Sequence, residues 1–244
     1  MVELLQRWTT EDLRFVVETL IPERGDPEHV IGLLLEDESL LEAMLEDNRL
    51  FQHLMARDEA FLAVSPEFFF KVLLLRARRD LQRELYTIER RHLQKVALFD
   101  AQRVVELLAK PEVCGYLAAL LASFTRIHSV VVPIRVRPGI WHRLRVNDLD
   151  IDSLIRYAQM LEMEHRFGVY QRIGDACLFL AGIFPEYVEA RQRYPQSNRP
   201  RLRLSSSLLS SLEDLESYGR TFYRLAAQHP AAQIRGLQEV LLIL

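Results

Sequence analysis

A chain of 244 residues with 49% apolar and 27% charged residues has the composition of an ordinary globular protein, long enough for one large helical domain or two small lobes. With only nine glycines, and no Gly-x-Gly, P-loop, Gly-x-Ser-x-Gly or His-Glu-x-x-His, it lacks the signatures of the common nucleotide-binding, serine-hydrolase and zinc-protease classes. The net charge of −3 is unevenly spread: residues 1–67 hold 16 acids and 5 bases, and residues 68–244 hold 18 acids and 26 bases.

That asymmetry implies either an acidic N-terminal lobe docking on a basic body or a basic surface open to polyanions. The start Met1-Val2-Glu3-Leu4 has no leader pattern. The longest apolar runs, 116–124 and 176–185, are shorter than the about 20 residues that cross a bilayer, so a cytoplasmic protein without membrane association is expected. Cys114 and Cys177, in no Cys-x-x-Cys pair, read as buried thiols of a reducing compartment.

The first predicted helix follows Thr10, with Glu11 and Asp12 in the turn where the helix dipole favours anions. Asp26-Pro27 caps a second. Two short helices, recapped at Asp37 and around Asp47-Asn48, follow. Ser65-Pro66 opens the longest helix, whose apolar spacing runs from Phe69 to Ile88 and whose other face carries Arg76, Arg78, Arg79, Arg83, Arg90 and Arg91. Asp100 caps the next helix, and Pro111 begins an apolar one that should be central.

Residues 129–146 break the helical period. Val130, Val132, Ile134 and Val136 alternate, and Pro138-Gly139 supplies turn chemistry, so a β-hairpin is expected. A three-residue loop, 138–140, places Arg135, Arg137, Trp141, Arg143 and Arg145 on one face and the apolar residues on the other. Helices resume at about 150–161 and 163–183, where Pro185 stops the second. Residues 190–211, rich in arginine and serine and broken by Pro195 and Pro200, read as a flexible loop. Two last helices span about 212–228 and 231–244. The fold class is therefore all-α, bundle-like, with one inserted β-hairpin. An acidic lobe at 1–64 and a main body at 65–244 are the expected parts, unless the chain is a single domain.

Three constellations bear on chemistry. Asp148, Asp150 and Asp152 mimic the start of a calcium loop, but Ser153 and Gln159 stand where that loop needs glycine and glutamate, so a helix cap is the expected role. Glu89-x-x-His92 and Glu162-x-x-His165 have the spacing with which four-helix di-iron bundles present carboxylate and imidazole, although nothing selects the two further glutamates. The arginine face of the hairpin, with Trp141, suits phosphates and a stacked ring.

The stretch Gly174-Asp175-x-x-Leu178-Phe179-x-x-Gly182-x-Phe184-Pro185-Glu186, followed by Tyr218-Gly219 and Tyr223, resembles uncharacterised bacterial all-helical proteins that carry a Gly-Asp-x-x-Leu-Phe-x-x-Gly-x-Phe-Pro-Glu sequence; the resemblance implies no activity. In physical terms Gly174 and Gly182 allow close helix approach, and Leu178 and Phe179 are core. Asp175, a carboxylate amid apolar neighbours, needs a partner such as Arg172, Arg220 or Tyr223, as a structural lock or as a buried polar site.

The residues favour a non-catalytic binding or regulatory module that uses the arginine hairpin for a phosphate-bearing or acidic partner, nucleic acid included, with no cofactor required. The rivals are a divalent-metal, di-iron-like helical enzyme on Glu89, His92, Glu162 and His165, and a structural protein that self-associates or pairs with another protein.

Overall fold

The computed structural model describes residues 8–56, 62–83, 87–91, 94–98, 101–137, 140–186, 188 and 211–244. The described residues are mainly α-helical, with twelve α-helices and two antiparallel β-hairpins. None of these helices is long and apolar enough to cross a membrane. The chain divides into two compact units, 1–125 and 126–244, rather than near residue 64. The helix that starts at Pro66 belongs with the helices before it, because Phe68, Val72 and Leu75 share one core with Leu13, Val16, Leu34 and Leu50.

In the first unit, α1 (Thr10–Leu20), α2 (Pro27–Glu36), α3 (Glu38–Leu45) and α4 (Asn48–Ala56) are short amphipathic helices, each buried along one stripe. Thr9, one residue before the predicted cap, starts α1: its hydroxyl accepts the Asp12 N–H and Asp12 accepts the Thr9 N–H, a reciprocal capping box. Asp26 caps α2 with Pro27 at its first position. Asp37 caps α3, and the Ser39 hydroxyl and Leu40 N–H hold its carboxyl below the ordinary range.

Helix α5 (Pro66–Arg83) is shorter than its apolar spacing predicts. Beyond it lies a second hairpin, β1 (Thr87–Arg91) and β2 (Gln94–Leu98), in the register Ile88↔Ala97 and Glu89↔Val96. Leu81, Leu85 and Ile88 keep helical spacing, but Thr87-Ile88 is a β-branched pair that favours extended backbone. Arg90 and Arg91 are consequently strand residues and do not extend the basic face of α5. Helices α6 (Ala101–Leu108) and α7 (Pro111–Ser123) complete the unit and pack on α5, and Val113, Cys114, Tyr116, Ala118 and Leu120 of α7 are buried. Asp100, the predicted cap of α6, lies outside the described residues.

The second unit opens with β3 (Ser129–Arg137) and β4 (Ile140–Asn147). Then come α8 (Ile151–Met160), a 3₁₀ turn (Met163–His165), α9 (Phe167–Ile183), α10 (Leu212–Ala227), α11 (Pro230–Ile234) and α12 (Gln238–Ile243). The last predicted helix is two helices because Gly236, at φ 65°, ends α11, and its N–H donates to the Gln233 carbonyl at 3.1 Å. The α9–α10 pair forms the centre of this unit. The predicted flexible loop at 190–211 falls, except for Ser211, outside the described residues.

Candidate functional site

The hairpin β3–β4 is the feature of the second unit with the most exposed chemistry. Its pairing, Val132↔Leu144, Ile134↔His142 and Val130↔Val146, puts the apolar alternation of both strands on one face. The opposite face carries Val131↔Arg145, Pro133↔Arg143 and Arg135↔Trp141. This is the expected segregation, reached by a different turn. The connection between paired Arg137 and Ile140 is the two residues 138–139, and a bulge between Arg135 and Arg137 restores the parity that a three-residue loop would have given. Arg137 sits beyond that bulge, exposed, beside the turn.

The root of the hairpin is fixed. Asn147 Nδ2 donates to Ser129 Oγ at 2.7 Å, its N–H donates to Ser153 Oγ at 3.1 Å, and its Oδ1 accepts the Leu149 N–H at 2.9 Å. Asp148 accepts the His128 N–H at 3.0 Å and pairs with Arg172 at 3.1 Å. Val146 and Leu149 are buried. The outer face is open to water along its length: Trp141 is 62% exposed, Val131 58%, and Pro133, Arg143 and Arg145 are exposed as well.

Between Arg126 and Asn147 the chain has five arginines and no acid. Among the described residues no ion pair engages Arg137, Arg143 or Arg145. The contrast with α5 is informative. There Arg76 pairs with Asp80 at 2.8 Å and with Asn48, Arg78 pairs with Glu46, and buried Lys71 pairs with Glu42 at 3.2 Å. Two acids of α3 and its C-terminal turn thus reach α5 cations inside the first unit, whereas Arg137, Arg143 and Arg145 are exposed. Residues 126–244 hold 16 basic and 12 acidic side chains, and every base is arginine. A guanidinium fork matches a phosphate in two-point geometry, which an ammonium cannot do.

The residues predicted for a metal are not brought together on two helices. Glu89 is on strand β1, opposite Val96, and His92 lies outside the described residues. Glu162 and His165 flank a single 3₁₀ turn, where their ligand atoms and that of Glu164 lie within 4.8 Å of one another. All three side chains are exposed, and this local trio is not the paired-helix, carboxylate-rich arrangement of a di-iron bundle. Asp148, Asp150 and Asp152 also diverge, Asp152 lying in the first turn of α8. Asp148 anchors the hairpin, and Asp150 accepts the Ser153 N–H as the cap of α8, its carboxyl pushed up by burial.

Asp175 has the structural partner that its burial demands: it is 7% exposed, and the Tyr223 hydroxyl donates to its Oδ1 at 2.9 Å. Arg220 instead lies near Glu216 on the surface. Gly174 is where α10 comes closest, its missing side chain filled by the Tyr223 ring, while nothing stands within 4 Å of a Cβ at Gly182. Leu178 and Phe179 are half-buried, so the deep core of α9 is Ile173, Ala176, Cys177 and Leu180.

Two buried charges escaped the sequence reading. Asp12, fully buried, accepts the Ser65 N–H at 2.6 Å besides closing its own cap. Lys71 is 4% exposed, and its signal was a lone cation inside the apolar run Phe68-Phe69-Phe70-Lys71-Val72-Leu73.

Burial pushes the Cys177 thiol up to about 12 and raises that of Cys114. Neither should react with a chromogenic disulfide at mildly alkaline pH in the folded protein, and both should react once denaturant is added. Rapid labelling of native protein would contradict this burial. Comparison with protein families, curated proteins and solved structures finds no match for this chain.

Proposed function

We propose that the protein is a binding module without catalysis, and that the β3–β4 hairpin is its contact arm for a phosphate-bearing, polyanionic partner. One observation carries this reading. Lys71, Arg76 and Arg78 of α5 each meet an acid of the first unit, but Arg137, Arg143 and Arg145 stand beside an exposed Trp141 in a span, 126–147, that holds no acid, with no matching carboxylate among the described residues. A span of five arginines without one acid leaves its field for a ligand.

The expected result is retention on a heparin column that weakens as salt rises, because counterions are released from the polyanion on binding. Arg143→Glu with Arg145→Glu should elute at clearly lower salt. Arg220→Glu with Arg224→Glu on α10 changes net charge equally and should elute close to the parent. Equal retention of the hairpin variant and the parent would sink the reading.

A further inference from the structure

Resting on the reading of the hairpin as a polyanion-binding arm, we infer that its ligand is a single-stranded nucleic acid, with a base stacked on Trp141 and the strand's phosphates on Arg143 and Arg145.

The geometry supplies the argument. Trp141, Arg143 and Arg145 alternate along β4 and share the outer face, so successive members stand about 6.7 Å apart, two strand residues. An extended sugar-phosphate chain repeats base and phosphate on a similar interval. Arg143 and Arg145 lie opposite Pro133 and Val131. Their neighbours on β3 are thus exposed and apolar, a floor against which sugars and base edges can rest without meeting an acid.

The tryptophan decides among polyanions. A chain of phosphates alone gains from arginines but has no use for an indole held 62% exposed at the far part of the arm. A duplex offers phosphates too, but its base faces are already stacked on one another. Unlike polyphosphate or a duplex, an unpaired strand offers both a phosphate row and a free π-face to stack on the indole.

The test uses the full chain. Trp8 and Trp141 are the two tryptophans, and Trp8 packs edge-on against Phe68 in the first unit. A Trp8→Phe variant therefore makes Trp141 the sole indole reporter. Titration with a short single-stranded oligothymidylate, with its duplex and with inorganic polyphosphate should quench that fluorescence only for the single strand, which should also bind most tightly. In the parent, Trp141→Ala should lower affinity for the oligothymidylate about tenfold, leave polyphosphate binding unchanged, and be partly rescued by Trp141→Phe, with circular dichroism unaltered. Equal binding of oligothymidylate and polyphosphate, with no quenching and no effect of Trp141→Ala, would overturn the single-strand inference and leave the polyanion arm standing. Preference for the duplex would also overturn it. Failure to bind any of the three would overturn both readings.

Discussion

Replacing Asp12 by alanine should lower the stability of the first unit by about 3–5 kcal/mol, a large share of what a domain of this size possesses. The side chain is fully buried, and its two oxygens do different work. Oδ2 accepts the Thr9 N–H at 2.9 Å and closes the α1 cap, while Oδ1 accepts the Ser65 N–H at 2.6 Å, fifty-three residues along the chain. Ser65 is itself the residue whose hydroxyl accepts the Phe68 N–H at the start of α5. One carboxylate therefore sets the N-termini of two helices against each other. Alanine leaves both donors without their acceptor where water reaches them poorly. Asparagine, with one acceptor oxygen, can keep one bond and should fall between the two. Denaturant titration followed by Trp8 fluorescence reads this unit, because that indole packs on Phe68 at 5.7 Å. A midpoint shift equivalent to less than about 0.5 kcal/mol, typical of an unremarkable surface change, would refute the bridging role.

In the second unit the most damaging single change should be Gly174→Val, at about 3 kcal/mol or more. Even the first added carbon would stand 2.6 Å from Cδ1, 2.7 Å from Cε1 and 2.9 Å from Cγ of Tyr223. The ring cannot swing aside cheaply, because its hydroxyl is held by Asp175. Gly219→Ala is the comparison. Its Cβ would meet Cys177 Cβ at 3.1 Å, a contact that a few tenths of an ångström relieve, so a loss of about 1 kcal/mol is expected. Hydrogen exchange of the α9 and α10 amides would follow both. Parent-like protection in Gly174→Val would mean that the helices do not need this closeness.

The legible part of this chain was what depends on local chemistry. Asp26-Pro27 and Ser65-Pro66 announced helix starts because a cap and a preset φ act within one turn. The arginine and apolar faces of β3–β4 were readable because strand periodicity survives any turn that preserves parity. What was missed depends on distance. Nothing near Asp12 says that its second oxygen will meet Ser65. The apolar spacing through Leu81, Leu85 and Ile88 could not reveal that the chain is a strand from Thr87, since a helical stripe and a strand can share those positions. Charge counting located the acidic excess, but the partners of Glu42 and Glu46 are on α5, which lies in the same compact unit, 1–125. The arginine arm itself was readable in composition, because five arginines and no acid fall between residues 126 and 147.

The bulge between Arg135 and Arg137 makes the length of the arm a quantised property. Insertion or deletion of a single residue between Val130 and Arg135 would carry the β3 residues on the turn side of it across the sheet, placing Arg135 on the apolar face and valine on the outer one, while β4 stays anchored at Asn147. A change of two would only alter reach. Evolution or a protein engineer can therefore lengthen or shorten this arm in paired steps while its chemistry stays the same, and odd steps invert it.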